Sequence, residues 1–422
     1  MADQREISSG QALSIDFRIV HIFDDDKFID IAIARFESVY PGGSDYYVLQ
    51  SQPGPFKHVR STFAKPLLFD PTSTHSDFLE VLHDSQIKAV FFHALNTQKQ
   101  HLVLSTPDHM VKVWFSWGFD LYNNWFLFNR KLYGKSTKRY LLKGREWSAR
   151  IQRLMVNEWT FALYKAIDLP KKWVPRKIEA LLQHYFFGRF YQATQAVDVF
   201  VPVVPNEYQL FQQIGAPARY APFTYGTLEY FLQNKIEDHV LSAQNILVGN
   251  SADPSNNHVE VFEQLARMDL SGRKVFVPLS YGGSANYRAF VIEKGVELLG
   301  DHFIPLSDFL KMEQYNAILD SCNVAIFNHV RQQAVGNIIV MGAWGAKIFI
   351  NPKSTVYEFF QELGLTVFST ERLSATGLDS IEEETWRSNR RILFEVYGEA
   401  AVDRKTTRLL EIVTEEVIKK QQ

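Results

Sequence analysis

The stretch Cys322-Asn-Val-Ala-Ile-Phe-Asn-His-Val-Arg-Gln-Gln-Ala-Val-Gly-Asn337 decides the fold. Its apolar run Val324 to Phe327 reads as a short buried strand, Asn328 to Asn337 as a polar loop, and the apolar residues that follow as a helix beginning near Gln333. A helix N-terminus leaves N–H groups unpaired and carries about half a positive charge. Arg331 ahead of it, and Gly336 admitting close approach to the backbone, make a seat for a diphosphate. The loop lacks both the lysine before Ser/Thr of a P-loop and a G-x-G-x-x-G triplet, so ATP hydrolysis and dinucleotide binding are not its natural readings. The diphosphate of an activated sugar fits better. Taken alone, the loop has an ordinary alternative as a helix-capping turn.

Two further loops strengthen the case. The strand Ile246 to Val248 ends in Gly249-Asn250-Ser251 and leads to a helix start near Asn256, with Ser251, Asp253, Ser255 and Asn256 offering capping chemistry and hydrogen bonds to phosphate or hydroxyls. The strand Lys274 to Leu279 ends in Ser280-Tyr-Gly-Gly283. In open parallel sheets, ligands sit in the crevice outside the carboxyl ends of the strands, where all three loops would converge.

Ile246-Leu-Val-Gly-Asn-Ser251 with Ser255, Asn256 and His258, Val277-Pro278 with Tyr281, Tyr315 before Cys322, and Arg331-Gln-Gln333 with Gly336 resemble the TDP-N-acetylfucosamine:lipid II N-acetylfucosaminyltransferase family. The amino-terminal half resembles it more thinly, through His21, Phe91-Phe-His93 with Asn96, and Trp117-Gly118 with Asp120-Leu-Tyr122. The resemblance implies a bacterial enzyme that extends a polyprenyl-diphosphate-linked glycan in surface-polysaccharide assembly. It also implies a type-B glycosyltransferase architecture, two Rossmann-like domains facing a central cleft. The sequence departs from the family's pattern at Asn337, where a smaller hydroxyl residue is expected, and in the long basic segment from Arg130 to Gln195.

Composition agrees with such an enzyme. At 422 residues the chain exceeds the size at which one core keeps growing, so two domains are the default. With 46% hydrophobic and 22% charged residues it has enough apolar material for two cores and is not a disordered chain. A net charge of -2 argues against a general nucleic-acid binder. The lone cysteine, Cys322, excludes an intramolecular disulfide and any multi-cysteine metal site, and its apolar setting reads as a buried spacer. No signal pattern opens the sequence and no apolar run reaches the roughly 20 residues needed to span a bilayer, so a cytoplasmic location is expected.

Along the chain, strand-like runs at Asp16 to Phe23, Tyr46 to Leu49, Ala89 to Phe92, Val111 to Phe115 and Val197 to Val201 alternate with helical runs at Phe28 to Val39, Ser76 to His83 and Asn96 to Leu104. Alternation of that kind selects a parallel sheet covered by helices. A second alternation runs from Asn245, with strands at 246–250, 274–279, 302–306, 324–328 and 347–351. The expected domains are 1–225 for the acceptor, a linker at 226–244, 245–400 for the nucleotide sugar, and a last helix within 401–422 that could cross back to the first domain.

Chemistry at an anomeric carbon needs stabilisation of the departing diphosphate and, for inversion, deprotonation of the acceptor hydroxyl. Arg331 and the helix behind it suit the first task. Gln332, Gln333, Gly336 and Asn337 would orient the phosphates or the sugar, Gly249, Asn250, Ser251, Asn256 and Tyr281 would line the same crevice, and Glu313 and Tyr315 would hold ribose or sugar hydroxyls. For the base, Asp120 is the first candidate and His93 the second, with a helix N-cap and a satisfied core histidine as their plain structural alternatives. The three loops of the second alternation carry neither an Asp-x-Asp of the kind that holds a metal with a sugar nucleotide nor His-x-x-x-His, so no metal and no cofactor are expected. Lys131, Lys135, Lys138, Arg139 and Lys143 are interleaved with aromatics, a pattern that suits an anionic membrane surface as well as a solvated helix face. The expected partners are a TDP- or UDP-sugar donor and a lipid-linked saccharide acceptor. A soluble or protein acceptor, or a non-catalytic sugar-nucleotide-binding module, are the alternatives.

Overall fold

The computed structural model describes residues 15–70, 75–129, 131–166, 176–233 and 240–422. Two wholly parallel sheets organise it. The first contains β1 (Arg18–Phe23), β2 (Ser44–Gln50), β3 (Ala64–Leu68), β4 (Ile87–His93), β5 (Val111–Ser116), β6 (Val199–Pro202) and β7 (Arg219–Tyr220), in the order β3-β2-β1-β4-β5-β6-β7. The second contains β8 (Asn245–Val248), β9 (Val275–Pro278), β10 (Phe303–Leu306), β11 (Cys322–Phe327), β12 (Lys347–Ile350) and β13 (Phe368–Ser369), in the order β10-β9-β8-β11-β12-β13. Every pairing is parallel, with His21 opposite Phe91 and Ala325 opposite Leu247 at the two sheet centres.

The central strands are buried on both faces, which is why they read as continuous apolar runs: every residue of β11 is buried, Cys322 included. Burial pushes the Cys322 thiol up to about 12, so it stays protonated and inert. In each sheet the strand order reverses once, between β1 and β4 and between β8 and β11. Such switch points open a crevice at the strands' carboxyl ends, and the loops after β8 and β11 are those that carry Gly249 and Arg331.

Three strands escape the sequence reading: β3, β7 and β13. All three are edge strands, paired on one side only, and β3 contains Pro66 and buries only Leu67 of its five residues. An edge needs no continuous apolar run, so it leaves little periodic signal. The stretch 226–244 is more than a linker, since its helix Leu228–Leu232 buries both terminal leucines in the second core. The terminal helix Glu399–Gln421 packs Leu409, Leu410, Ile412, Val413 and Val417 among first-sheet residues such as Phe91, Val113 and Val199.

Between β5 and β6 the chain inserts a helical segment, whose described residues form seven helices from Phe119–Tyr122 through Lys135–Leu141, Glu146–Met155 and Glu158–Ala166 to Arg189–Ala196. Helix Lys135–Leu141 reaches across to the second domain: Thr137 Oγ1 donates to Glu260 at 2.8 Å, Ser136 to Glu263 at 2.7 Å, and the Gly134 N–H to Asn257 at 2.7 Å.

Candidate active site

The loop after β11 turns through Ala334, a non-glycine residue at φ 57°, and enters helix Val335–Ala343 with no side-chain cap. Strain of that kind persists only where the surroundings impose it. The first-turn N–H groups and the positive end of the helix dipole therefore face a cavity of about 420 Å³ between the two domains. Arg331, Gln332, Gln333, Gly336 and Asn337 line it from the second domain together with Asn250 and Tyr281. From the first domain come Lys27, Phe28, Trp117 and Tyr225. A Cβ built on Gly336 would meet nothing within 4 Å, so this glycine answers no packing need of the protein itself.

Arg331 is buried and held from one side: its Nε donates to Ser255 Oγ at 2.9 Å, and its guanidinium stands 3.5 Å from Asp253. Ser255 is itself fixed, its hydroxyl 2.6 Å from Asp253 Oδ1 and 2.8 Å from Gln333 Oε1, with one proton that goes to either. Gln333 then donates to Asn250 at 2.6 Å, and Asn250 donates to the Tyr281 hydroxyl at 3.1 Å. The three glycine-softened loops are thus one hydrogen-bonded wall. Gly249 lies behind it at φ +70°, where a Cβ would stand 2.8 Å from Asn256 Oδ1. Ser251 and Asn256 are buried in the same second layer, with Asn256 donating to the Ser251 carbonyl at 3.0 Å. Tyr315 accepts a 2.9 Å hydrogen bond from Asn337 and so acts on the cavity through that side chain. Glu313 does not belong: it is exposed in the first turn of helix Met312–Asp320 and does not line the cavity.

The first-domain residues require a larger correction. Asp120 does not point into the cleft. It is fully buried, and its two oxygens accept from Leu95 N and Trp114 Nε1, both at 2.7 Å, from Trp117 N at 2.9 Å, from Leu121 N at 3.1 Å and from Ser116 Oγ at 3.2 Å. A carboxylate has about four lone-pair sites. With all of them engaged, Asp120 fastens the loop after β5 to the loop after β4 and has no free lone pair for an acceptor proton. Burial raises its pKa while those hydrogen bonds pull it down.

His93 is buried at the end of β4, one side chain removed from the cavity: its Nδ1 lies 2.7 Å from the hydroxyl of Tyr225, which also receives Trp117 Nε1–H at 2.6 Å. Its Nε2 lies 3.1 Å from His21 Nδ1. Burial, first, and the neighbouring His21 hold the His93 pKa well below the ordinary imidazole range. Sequence reasoning missed Tyr225, which sits in a turn-rich passage with no periodic signal, and Lys27, whose ammonium stands 5.2 Å from the Phe28 ring and 5.8 Å from the Tyr281 ring across the cleft. Lys27 follows three aspartates directly after β1, and position after the first strand at a switch point was the signal that could have found it.

Of the basic residues in the insertion, Lys131, Lys135, Arg139 and Lys143 are exposed and Lys138 is half-buried. Lys171 and Lys172 lie outside the described residues. Among the described residues, no group of three or more His, Cys, Asp or Glu gathers where a metal ion could be held, and no helix is long and apolar enough to cross a membrane.

Solved structures with this arrangement of two domains include trehalose 6-phosphate synthase of Burkholderia multivorans (8% identity, TM-score 0.58, covering 96% of this chain and 98% of that one). Sucrose-phosphate synthase of Thermosynechococcus elongatus matches at 10% identity and TM-score 0.55 over 95% of this chain and 100% of that one. HepE of Anabaena, solved in complex with UDP and glucose, matches at 8% identity and TM-score 0.55 over 94% and 99%. At such identities the likeness is one of fold, the type-B architecture. The sequence adds the chemistry: residues 214–396, which include all three loops of the cavity wall, match the 4-alpha-L-fucosyltransferase family, glycosyl transferase group 56. The chain is a glycosyltransferase of two Rossmann-like domains, with the glycosyl transferase group 56 signature in its second half.

Proposed function

We propose that the protein moves a deoxyamino sugar of the N-acetylfucosamine type from TDP or UDP to a polyprenyl-diphosphate-linked saccharide in surface-polysaccharide assembly, at the inner face of the plasma membrane. The second domain holds the donor and the first the acceptor. The observation that carries this reading is the cavity wall where Arg331 and the uncapped start of helix Val335–Ala343 meet. Negative charge grows on the diphosphate as the anomeric bond breaks, and a guanidinium with oriented N–H groups in a partly enclosed site stabilises it without reorganising. Gln332 and Asn337 would orient the phosphates or the sugar, while Gln333, already tied to Asn250 and Ser255, keeps the wall in register. The UDP in the HepE structure and the fucosyltransferase family match support a nucleotide donor of a deoxy sugar.

The helical insertion supports the lipid-linked acceptor. Helices Glu146–Met155 and Glu158–Ala166 expose Trp147 at 76%, Trp159 at 85%, Leu154, Ile151 and Leu163, an apolar ridge next to exposed Lys143, Arg150 and Arg153. Exposed tryptophans and leucines beside cations match an anionic bilayer, in which the rings enter the headgroup boundary and each cation adds about 1 kcal/mol.

Thermal shift tests the donor site: TDP or UDP should raise the melting temperature, and Arg331→Met should remove most of that shift while the unliganded protein still melts cooperatively. An unchanged shift in the variant would refute the donor seat. Sedimentation with phosphatidylglycerol vesicles tests the ridge, where Trp147→Ala with Trp159→Ala should release the protein and equal binding would refute the membrane part. Turnover should be indifferent to EDTA, and a collapse of rate on chelation would refute metal independence.

A further inference from the structure

Tyr225 lines the cavity, and its hydroxyl is the first link of a hydrogen-bonded chain that crosses the first domain. It lies 2.7 Å from His93 Nδ1, His93 Nε2 lies 3.1 Å from His21 Nδ1, and His21 Nε2 lies 3.2 Å from Ser44 Oγ. Ser44 stands two residues from Tyr46 on the same face of β2, close enough to influence its hydroxyl, which donates to Glu37 Oε1 at 2.7 Å. Glu37 is on helix Ile29–Val39, half-buried, and takes the exposed Gly42 N–H on its other oxygen at 3.0 Å. Every member between the ends is both donor and acceptor, so the chain of tautomers and hydroxyls can point its protons toward Glu37 or toward the cavity.

Two facing imidazoles surrounded by Phe23, Phe36, Phe91 and Phe115 are costly as packing alone, since apolar rings would fill the space without polar atoms to satisfy. Burial lowers the His21 pKa to about 3 and holds His93 well below the ordinary range, so both rings are neutral at rest. A base that had to keep the proton as imidazolium would be poor here. A shuttle has no such need, because a concerted shift leaves each ring neutral.

We propose that Tyr225, His93, His21, Ser44, Tyr46 and Glu37 form a proton relay that takes the acceptor's proton from the cleft to the outer face of the domain. The proposal rests on the sugar-transfer reading of the cavity and supplies the base that Asp120 cannot be. As the acceptor oxygen bonds to the anomeric carbon, the diphosphate departs with the electron pair of the broken bond and the acceptor's proton passes to Tyr225 Oη. The tyrosine's own proton moves to His93 Nδ1, the His93 Nε2 proton to His21 Nδ1, the His21 Nε2 proton to Ser44, that of Ser44 to Tyr46, and that of Tyr46 to the Glu37 carboxylate. One proton enters and one arrives. Glu37 then gives it to water, and the chain resets as the hydroxyls rotate and the tautomers return.

Glu37→Gln is the deciding variant, because its amide oxygen can still accept from Tyr46 but it cannot take a proton. In the full-length protein, kcat should fall about tenfold or more, while donor KM and melting temperature stay at wild-type values. The bowed dependence of wild-type kcat on D2O fraction, the mark of several protons in flight, should change with it. Ser44→Ala breaks the chain elsewhere and should give the same loss, which keeps the test valid if either variant folds poorly. An active wild type beside variants of equal kcat and unchanged isotope dependence would overturn the relay alone. A wild type with neither transfer nor slow hydrolysis of a nucleotide sugar would overturn the transfer reading and the relay with it.

Discussion

At the scale of single residues, Asp120 shows how much a side chain's role depends on what surrounds it. Its place after a strand, in Trp117-Gly-Phe-Asp120, is legible as a site position, but five donors from three segments cannot be read from one dimension. Asp120→Asn turns an amide N–H against groups that are themselves donors. The expected result is a loss of about 2–5 kcal/mol in urea unfolding, with activity lost in proportion to folded protein; a stable, inactive D120N would restore it as a candidate base. Buried imidazoles make a second prediction. His21 and His329, lowered to about 3, His258, lowered to about 4, and His93 all stay neutral in the fold, with burial as the leading cause. The unfolded chain takes up those protons below about pH 6.5, so stability is full above that value and is lost as pH falls, by about 1.4 kcal/mol per pH unit for each histidine. Glu207, whose pKa burial pushes well above the ordinary carboxylate range, binds its proton in the fold and works in the opposite direction. Asp120, raised by burial, works the same way as Glu207, and with four histidines against two carboxyls the net is a loss of stability as pH falls from 6 to 5. Urea midpoints that stay flat over that interval would contradict it.

At the scale of elements, β8 to β12 of the second domain were legible because each is a short apolar run followed closely by Gly, Ser or Asn. What placed Arg331, Gln333 and Asn250 on one wall was the β8–β11 switch point, which follows from strand order and not from any local signal. The same limit hid Tyr225, while β3, β7 and β13 were missed for want of a continuous apolar run. Gly118 is one of the close contacts that couple the domains: at φ +81°, a Cβ there would lie 2.4 Å from Gln332 Oε1 and 2.5 Å from its carbonyl oxygen. Gly118→Ala should therefore cost about 1–3 kcal/mol and lower kcat/KM for the donor by displacing Gln332. Wild-type stability and kinetics in that variant would show that the loop after β5 does not brace the cavity wall.

At the scale of the molecule, two sheets face a shared cavity and the terminal helix ties the last residues to the first domain. Five of its apolar side chains are buried there, with Lys420 paired to Asp198 at 2.7 Å. At about 1.5–3 kcal/mol each, they contribute an amount comparable to the whole stability of a domain. Truncation before Glu399 should leave an insoluble or unfolded first domain, and a soluble, cooperatively melting product would contradict that. The two-domain alternation was readable in the sequence and the cleft came with the family resemblance, whereas the helical insertion was readable only as a basic, aromatic segment because the exposure of Trp147, Leu154 and Trp159 is decided by how its helices pack.

The most direct test is a crystal structure with TDP or UDP bound. The account predicts phosphate oxygens within hydrogen-bonding distance of the Arg331 guanidinium and of the first-turn N–H groups of helix Val335–Ala343, with the base beyond Asn250 and Tyr281. A nucleotide bound elsewhere, with Arg331 still closed on Ser255 and Asp253 and no contact to phosphate, would contradict it.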